Sequence, residues 1–138
     1  MAKQSGLGDY LAVDDSGGSA RDISDNVISL EIGQPQNLLD VTTLSKSAIE
    51  RIIGLRDCTI SITGVFDSAS NKIHDVFKTP TGSRTVTYCI GGNSGGNPKL
   101  EFEANVTEYN ISRGTDGSLG VTAGLSLNSG TAPSWSTV

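Results

Sequence analysis

Apolar and polar residues alternate along most of the chain, with a period of two that predicts β-strands having one buried and one solvated face. The pattern recurs in five segments separated by residues that favour turns. The residues predicted to face a core are Ile28, Leu30 and Ile32, then Cys58, Ile60, Ile62, Gly64 and Phe66, then Val86, Tyr88 and Ile90, then Leu100, Phe102, Ala104 and Val106, and finally Leu119, Val121, Ala123, Leu125 and Leu127.

One strand changes its parity part of the way along. After Val106 the apolar positions move to Tyr109 and Ile111, so the alternation slips by one residue. One extra residue in an antiparallel strand produces this slip, which predicts a β-bulge near Thr107 and Glu108.

A single segment has helical spacing. Apolar residues fall on one helical stripe, at Ala69, Ile73, Val76 and Phe77. We predict a helix over residues 70–78, capped by Asp67 or Ser68 and ended by Pro80 and Gly82. Many strands and one helix predict a mainly β fold, a two-layer β-sandwich or barrel with one flanking α-helix.

Residues 33–56 differ from the rest and form a long, irregular connection. Residues 38–43 could be extended, whereas residues 45–54 have no clean period of either kind. Such a connection is usually functional or disordered. Its apolar content argues against plain disorder, and the residues concerned are Leu38, Leu39, Val41, Leu44, Ile49, Ile52, Ile53 and Leu55. Two interpretations remain open: the segment buries these residues against another subunit, or a short helix over residues 47–53 packs them on its own core.

Charge and cysteine content narrow the possible classes of protein. The net charge is −5, which gives no electrostatic reason to bind nucleic acid. Residues 1–40 contain seven of the acidic side chains and only two basic ones. This excess of negative charge forms either a solvated face or a functional one. We see no signal peptide and no membrane span. We therefore expect a reducing compartment, with Cys58 and Cys89 as free thiols on opposite strand faces.

No constellation of catalytic residues can be assembled. The single histidine, His74, is expected to be a solvated or half-packed helix residue, and one His with two Cys does not make a zinc site. The glycine-rich segment 91–96 lacks the Lys-Ser/Thr of a phosphate loop and leads into a strand. We expect no enzyme activity, no metal site and no cofactor.

The centre of the chain resembles a known family. Three segments, LLDVTTLSK at 38–46, ERIIGLRD at 50–57 and ISITGVFD at 60–67, resemble the major tail tube proteins of long-tailed, siphovirus-type bacteriophages in their order and spacing. In that family an Asp-Val-Thr segment leads through a long loop to a Gly-Leu-Arg/Lys-Asp turn, then to a strand ending in Gly-x-Phe and a helix. The resemblance covers about residues 25–128.

The resemblance implies a structural virion protein with no enzymatic role. Homohexameric rings would stack into a hollow tube that conducts genomic DNA into the host without specific binding. The partners implied are further copies of the chain and other tail proteins, such as terminators, tape measure and distal tail proteins, with no membrane. The protein would be made in the bacterial cytoplasm and reside in the virion tail. One domain would span 1–138, with an N-terminal arm at 1–8, an assembly loop at 33–56 and a C-terminal tail at 129–138.

Two sets of residues are candidates for sites in such a tube. A closed ring needs one polar strand face to line its hole. The alternative is that the polar faces of the predicted strands lie on the outside of the ring, in contact with solvent. The lumen candidates are Ser29, Glu31, Glu101, Glu103 and Asn105. The candidates for contacts between subunits and rings are Leu38, Leu39, Val41, Leu44, Ile49, Ile52 and Trp135. Trp135 stands in an irregular tail and docks either on its own domain or on a neighbour.

Two other classes remain open. A tube subunit of a contractile injection or secretion machine shares this fold. A carbohydrate-binding sandwich would need exposed aromatic residues clustered on loops, and only Trp135 qualifies.

Overall fold

The computed structural model describes residues 3–138, which form ten strands and one short helix. In chain order the elements are β1 (Tyr10–Asp14), β2 (Ala20–Asp22), β3 (Val27–Gly33), β4 (Gln36–Asp40), β5 (Arg51–Arg56), β6 (Thr59–Val65), α1 (Ile73–Phe77), β7 (Ser83–Cys89), β8 (Pro98–Arg113), β9 (Leu119–Leu127) and β10 (Trp135–Thr137).

Two separate sheets account for all the strands. Eight strands form one antiparallel sheet in the order β2-β1-β7-β8-β9-β6-β3, with β10 paired to β8. The long strand β8 organises this sheet, because β7 pairs with its first part and β9 with its second part. Strands β4 and β5 form a two-stranded sheet of their own. The predicted fold class, mainly β with one flanking helix, is confirmed.

The core lies on one face of the eight-stranded sheet. Strands near both ends of the sheet contribute side chains to the same apolar cluster, so the sheet curls around that cluster. The buried face of α1 adds further side chains to it. Those residues are Leu11, Val13, Ile23, Cys58, Ile60, Ile62, Ile73, Val76, Phe77, Val86, Leu100, Phe102, Ala104, Val121, Ala123 and Leu125. The predicted inward sets of β6, β8 and β9 supply much of this list.

The predicted bulge in β8 is confirmed. The register between β8 and β9 shifts between Val106 and Glu108. The extra residue restores an inward direction to Tyr109, which packs against the core.

A second bulge, in β3, was not predicted. The register with β6 shifts between Val27 and Ser29. Val27, Leu30 and Ile32 therefore pack against the core, whereas Ile28 is 70% exposed. The prediction that Ile28 faces the core is wrong, because a bulge reverses the direction of the residues on one side of it.

The helix is shorter than predicted. It spans five residues, Ile73–Phe77, rather than residues 70–78, and its N-cap is Lys72 without a side-chain cap bond. Asp67 instead accepts a bond from the amide of Ala69, ahead of the helix. Ala69 is exposed, so only Ile73, Val76 and Phe77 form the buried stripe.

Asn26 ties the helix to the sheet. Its side-chain oxygen accepts from the Ile73 amide at 3.1 Å, and its side-chain nitrogen donates to Asp67 at 2.9 Å. The backbone here approaches closely, since a Cβ on Gly64 would lie 2.4 Å from the Asn26 carbonyl oxygen. Glycine at position 64 is thus required for Asn26 to reach the helix.

Arg84 fixes the other end of the helix. Its side chain is buried and donates to four backbone carbonyl oxygens, those of Asp14, Val76, Thr79 and Thr81. Carbonyl groups at a helix C-terminus have no partner within the helix. The guanidinium satisfies these groups and joins the chain after α1 to the end of β1.

Both cysteines are buried free thiols. Cys58 belongs to the core cluster. Cys89 lies on the opposite face of the sheet with Thr87, as its strand parity predicts, although it is also fully buried. Burial raises the pKa of both thiols.

Candidate functional site

The segment predicted as a long irregular connection is a β-hairpin. Strand β4 pairs with β5, with Leu38 opposite Ile53 and Leu39 opposite Ile52. We call residues 33–56 the 33–56 hairpin. The prediction that residues 38–43 could be extended agrees with β4, which ends at Asp40. The predicted irregularity of residues 45–54 and the alternative of a short helix over 47–53 are wrong, because β5 begins at Arg51. Alternation was hidden here because both faces of each strand carry apolar residues.

Hydrogen bonds hold the distal end of the 33–56 hairpin. The Thr42 hydroxyl donates to Asp40 at 2.6 Å and accepts from the Glu50 amide at 2.8 Å. The Val41 amide donates to the Glu50 carbonyl at 2.9 Å. Bonds from the Thr42 side chain and amide lower the pKa of Asp40. The connecting loop is therefore closed by polar contacts rather than by packing.

The 33–56 hairpin exposes apolar side chains on both of its faces. Residues directly opposite each other in a sheet point to the same face. Leu38 and Ile53 therefore share one face, and Leu39 and Ile52 share the other. The two strands pack chiefly against each other and not on the large sheet. All the apolar residues of this segment are exposed, namely Leu38, Leu39, Val41, Leu44, Ile49, Ile52, Ile53 and Leu55.

This exposure is unusual for a monomeric surface. Leu44 and Leu55 have relative exposures of 107% and 87%, so almost nothing among residues 3–138 covers them. Contiguous apolar surface of this kind marks interaction sites in soluble proteins. Ile53 and Leu55 were recognised as apolar residues of this segment but were left out of the candidate contact residues, and the structure exposes them as well.

The 33–56 hairpin also differs in charge from the rest of the chain. It contains three basic and two acidic side chains, in a chain whose total charge is −5. Its basic residues Arg51 and Arg56 stand at the two ends of β5, and both are exposed. The hairpin thus presents a slightly positive surface next to its apolar one.

All five lumen candidates share the polar face of the large sheet. On β3, Ser29 and Glu31 point away from the core. The register across β6 and β9 aligns Ser29 with Asn110 and Glu31 with Glu108, on the part of β8 beyond its bulge, whereas Asn105 lies in line with Gly33. Glu101 and Glu103 precede Asn105 on the same side of that strand, because side chains alternate with a period of two. The five residues therefore share the outward face of the sheet but lie on different parts of it, because β7 pairs with the first part of β8 and β9 with the second.

Hydroxyl groups hold two of these carboxylates in place. Glu103 accepts from Thr85 and, at 2.8 Å, from Ser83. Glu101 accepts from Thr87 at 3.1 Å and has Lys99 at 3.8 Å. The three hydroxyl partners lie on the neighbouring strand β7, whereas Lys99 lies on β8 itself, two residues before Glu101. This part of the face therefore carries carboxylates bonded to hydroxyls, with Lys99 as the basic side chain beside them.

Trp135 lies at the start of a strand that was not predicted. It pairs with Leu100 of β8. The prediction of an irregular tail is therefore wrong for residues 135–137. Its indole nitrogen donates to the Gln34 side chain at 2.9 Å. The ring therefore contacts its own chain at the base of the 33–56 hairpin. Its relative exposure is 45%, and a contact with a neighbouring subunit stays a prediction.

A separate groove lies beside the start of β3. It has a volume of about 520 Å³ and lies between residues 6–9 and the β3 residues 27–30. Leu7 and Ile28 line it and are 86% and 70% exposed. At its wall, Asp9 accepts from the Gly91 amide and from the Tyr88 hydroxyl. Burial, together with this bond, raises the pKa of Tyr88 to about 12.

The remaining candidate chemistry resolves into structural contacts. His74 is half-buried, with Nδ1 3.0 Å from the Tyr109 hydroxyl and its ring 4.8 Å from that of Phe66. Among residues 3–138, no group of three or more His, Cys, Asp and Glu side chains lies in position to hold a metal ion. Over the same residues, no helix has the length and apolar character needed to cross a membrane.

Comparisons with known proteins agree on the fold. No family model matches the chain, and no curated protein matches it. The tail of an empty gene transfer agent (GTA) particle, solved with C6 symmetry, is similar with a TM-score of 0.73 and 18% identity, over 97% of this chain and 99% of that chain. The native GTA virion gives 0.71 and 18% identity over the same shares. The SPP1 tail tube gives 0.73 and 9% identity, over 99% of this chain and 80% of that chain.

Proposed function

We propose that this chain is the structural subunit of a phage tail tube, in which hexameric rings of the chain stack into a hollow conduit for genomic DNA. The observation that supports this most is the 33–56 hairpin, which exposes apolar residues on both faces. It does so in a chain that shares the tail tube fold over nearly its full length. A fold with an uncovered apolar arm is suited to polymerise.

The energetics favour assembly through the 33–56 hairpin. Full burial of a Leu or Ile side chain contributes about 1.5–3 kcal/mol. The isolated subunit obtains almost none of this from Leu44 and Leu55 and only part of it from the other apolar residues of the arm. Obligate interfaces bury roughly 2,000–5,000 Å² of surface. An arm with two apolar faces can bury surface against neighbouring subunits on both of those faces. The proposed contact residues are Leu38, Leu39, Val41, Leu44, Ile49, Ile52 and Trp135, with Ile53 and Leu55 added.

The polar sheet face is proposed to line the lumen. Its carboxylates, including Glu31, Glu101 and Glu103, repel phosphate, whereas basic side chains would bind it and retard passing DNA. At physiological salt the Debye length is about 8 Å, so these charges act close to the wall. The hydroxyl partners on β7 would hold Glu101 and Glu103 close to this proposed wall.

The same proposal includes location and partners. The chain would be made in the bacterial cytoplasm, would reside in the virion tail, and would have no enzymatic role. It would contact other tail proteins at the ends of the tube, with DNA passing by without specific binding. As one domain over residues 1–138, it would use its arm at 1–8 and its tail at 129–138 as further contacts.

The test compares two triple variants with the wild-type chain. Leu44→Ser, Ile49→Ser and Leu55→Ser together remove exposed apolar groups from the 33–56 hairpin. The matched control, Val65→Ser, Ile111→Ser and Leu119→Ser, removes apolar residues that are about half exposed on the large sheet. We expect wild type and control to form rings or tubes in negative-stain images, and the hairpin variant to sediment as a monomer with unchanged melting.

Two outcomes contradict the proposal. One is a wild-type chain that sediments as a monomer at every concentration and with every tail protein added. The other is a hairpin variant that assembles as well as the control. A density map of the wild-type tubes would show which side chains line the lumen. We expect Glu101 and Glu103 there, and their location on the outer wall would refute that assignment.

A further inference from the structure

The loop before α1, which we call the 67–72 loop, is held in shape by carboxylates rather than by packing. Its middle residues are exposed, and Asn71 has a left-handed backbone conformation with a φ angle of 66°. Asp67 accepts a bond from the Ala69 amide at 3.0 Å, and Asp75 accepts one from the Asn71 amide at 3.1 Å. Two carboxylates, one on each side of the loop, therefore fix its backbone.

The start of α1 depends on the same loop. Asp67 also accepts a bond from the side-chain nitrogen of Asn26 at 2.9 Å, and the Asn26 side-chain oxygen accepts one from the Ile73 amide at 3.1 Å. Asn26 is only 4% exposed, so the loss of Asp67 as an acceptor would leave a buried nitrogen without this partner. The His74 amide donates to the Asp67 carbonyl oxygen at 3.3 Å. The position of Ile73 in the core thus depends on the charged side chain of Asp67.

The helix has little stability of its own to offset the loss of these bonds. It spans five residues, and its N-cap, Lys72, makes no side-chain cap bond. Isolated helices shorter than about 12–15 residues are marginal in water. The C-terminal end of α1 is held separately, because the buried Arg84 donates to the Val76 carbonyl oxygen at 2.7 Å. The N-terminal end is therefore the end that can leave the core, with the end at Arg84 as its hinge.

We propose that the 67–72 loop is an acid-sensitive switch, in which protonation of Asp67 and Asp75 releases the loop and the first turn of α1 from the core. Each carboxylate uses both oxygens as acceptors, since Asp75 also accepts from the Lys78 ammonium at 2.9 Å. Protonation turns one of the two oxygens into a donor and removes the charge that strengthens the other bond. The exposed loop and the buried Ile73 are then no longer held together.

The folded protein favours the charged form of both side chains. The pKa of Asp67 is lowered, chiefly by the bond from the Ala69 amide. The pKa of Asp75 is lowered, chiefly by the bond from Lys78. A folded-state pKa below that of the unfolded chain stabilises the loop above about pH 3.9, the ordinary pKa of aspartate, and this stabilisation is lost as the pH falls through the folded pKa. Release is therefore expected in acid and not at neutral pH.

Other titratable or charged groups surround the loop and α1. They are Asp15, Asp25, Lys72, His74, Lys78, Arg84 and, on β8, Tyr109. Lysine and arginine stay charged and tyrosine stays neutral throughout the acid range. Asp15 acts on Asp75 only through space, whereas Asp25 contacts the loop through its ion pair with Lys72 at 3.5 Å. His74 and Asp25 also change charge on acidification, so each needs its own control.

Hydrogen exchange of the full chain, measured residue by residue near neutral pH and at about pH 3, tests the switch. Protection is expressed relative to an unstructured chain at the same pH. We expect protection of the Asn71 and Ile73 amides to fall by about tenfold or more in acid, while protection of the β9 amides falls much less. Asp67→Asn with Asp75→Asn imitates the protonated state, because an amide also offers only one acceptor oxygen. This double variant should show the acid level of protection already at neutral pH, with no further loss in acid.

Asp40→Asn with Asp116→Asn is the matched control. Each of these aspartates also accepts a bond from the backbone amide two residues further along, and each also has a lowered pKa. They lie in the 33–56 hairpin and in the turn between β8 and β9. The control should therefore keep both the neutral protection of the 67–72 loop and its release in acid. His74→Gln and Asp25→Asn, made singly, are expected to behave in the same way.

Several outcomes overturn the switch. One is a wild-type chain whose 67–72 loop is equally protected at both pH values, and another is an Asp67 and Asp75 double variant that stays protected at neutral pH. Release that His74→Gln or Asp25→Asn abolishes would assign the switch to that group instead. Equal loss of protection in β9 and in the loop would indicate global acid unfolding and no local switch. None of these readouts depends on assembly, so they leave the tube proposal to its own test.

Discussion

Two strand pairs in this protein have similar local geometry and opposite surroundings. In the β7–β8 pair, Val86 and Phe102 are 0% and 5% exposed, and the other face of the pair is polar. In the β4–β5 pair, Leu38 and Ile52 are 57% and 52% exposed on opposite faces. The first pair completes a core within the subunit, whereas the second has no core to complete.

The difference shows where each pair obtains its stability. An isolated two-stranded hairpin is at best marginally stable in water. The β7–β8 pair is stabilised by burial of its apolar face, while the β4–β5 pair relies on the contacts among Asp40, Thr42 and Glu50. Those contacts hold the 33–56 hairpin in shape before binding, which reduces the ordering cost of association.

Truncation of one large side chain in each pair gives the largest expected contrast. Phe102→Ala should lower the free energy of unfolding by about 3–5 kcal/mol, because it leaves a cavity in a packed core. Ile52→Ala should change it by less than about 1 kcal/mol, because half of that side chain is already in water. Chemical denaturation of the monomer measures both changes in the free energy of unfolding. Similar losses at the two sites would contradict the difference in packing between the two strand pairs.

Glycine substitutions give an intermediate contrast. Gly64→Ala brings its Cβ to 2.4 Å from the Asn26 carbonyl oxygen and should cost about 1–3 kcal/mol, with loss of the Asn26 bond to the helix. Gly54→Ala in β5 meets Asn37 and Leu39 only at 3.2 Å and should cost less than about 1 kcal/mol. Gly95→Ala, with open space around it, is the control. Thermal unfolding ranks the three, and the reverse order for positions 54 and 64 would show that the hairpin is the better packed region.

The smallest expected effect lies where the two regions meet. Trp135→Phe keeps an aromatic ring but removes the donor to Gln34, so the free energy of unfolding should fall by less than about 1 kcal/mol. The base of the 33–56 hairpin should loosen, because the Asp57 amide donates to the Pro35 carbonyl beside that contact. Exchange of the Asp57 amide hydrogen should become faster, while exchange of the β7 amides stays unchanged. Equal acceleration at both places would show that Trp135 stabilises the whole domain and not only the base of the hairpin.

Much of the fold follows from local pattern. Alternation located the strands β6, β8 and β9, and a single slip of parity located the bulge at Val106–Glu108. The helix was located by its stripe at Ile73, Val76 and Phe77 but was predicted too long. Its actual start depends on Asn26, which lies far away in the sequence and supplies the bond that a local cap was expected to provide.

The candidate site was predicted less completely than the fold. The apolar residues of the segment from Leu38 to Leu55 were identified, yet their hairpin was missed, because a strand with two apolar faces has no alternation to detect. The groove was missed as well, since it depends on the bulge that turns Ile28 outwards and on residues 6–9 lying beside β3. Arg84 gave no signal as a buried residue, because its partners are backbone carbonyls.

The sequence alone determined which residues needed burial, because side-chain hydrophobicity and period are local properties of the chain. It therefore predicted a mainly β core, a polar strand face and an apolar segment for which burial on its own core or against another subunit stayed open. Only the tertiary structure decided what those residues meet. Register across β3, β6, β9 and β8 aligned Ser29 and Glu31 with Asn110 and Glu108 rather than with Glu101 and Glu103. Pairing of β4 with β5 alone left the 33–56 hairpin uncovered. Both results depend on contacts between distant parts of the chain, which no local pattern specifies.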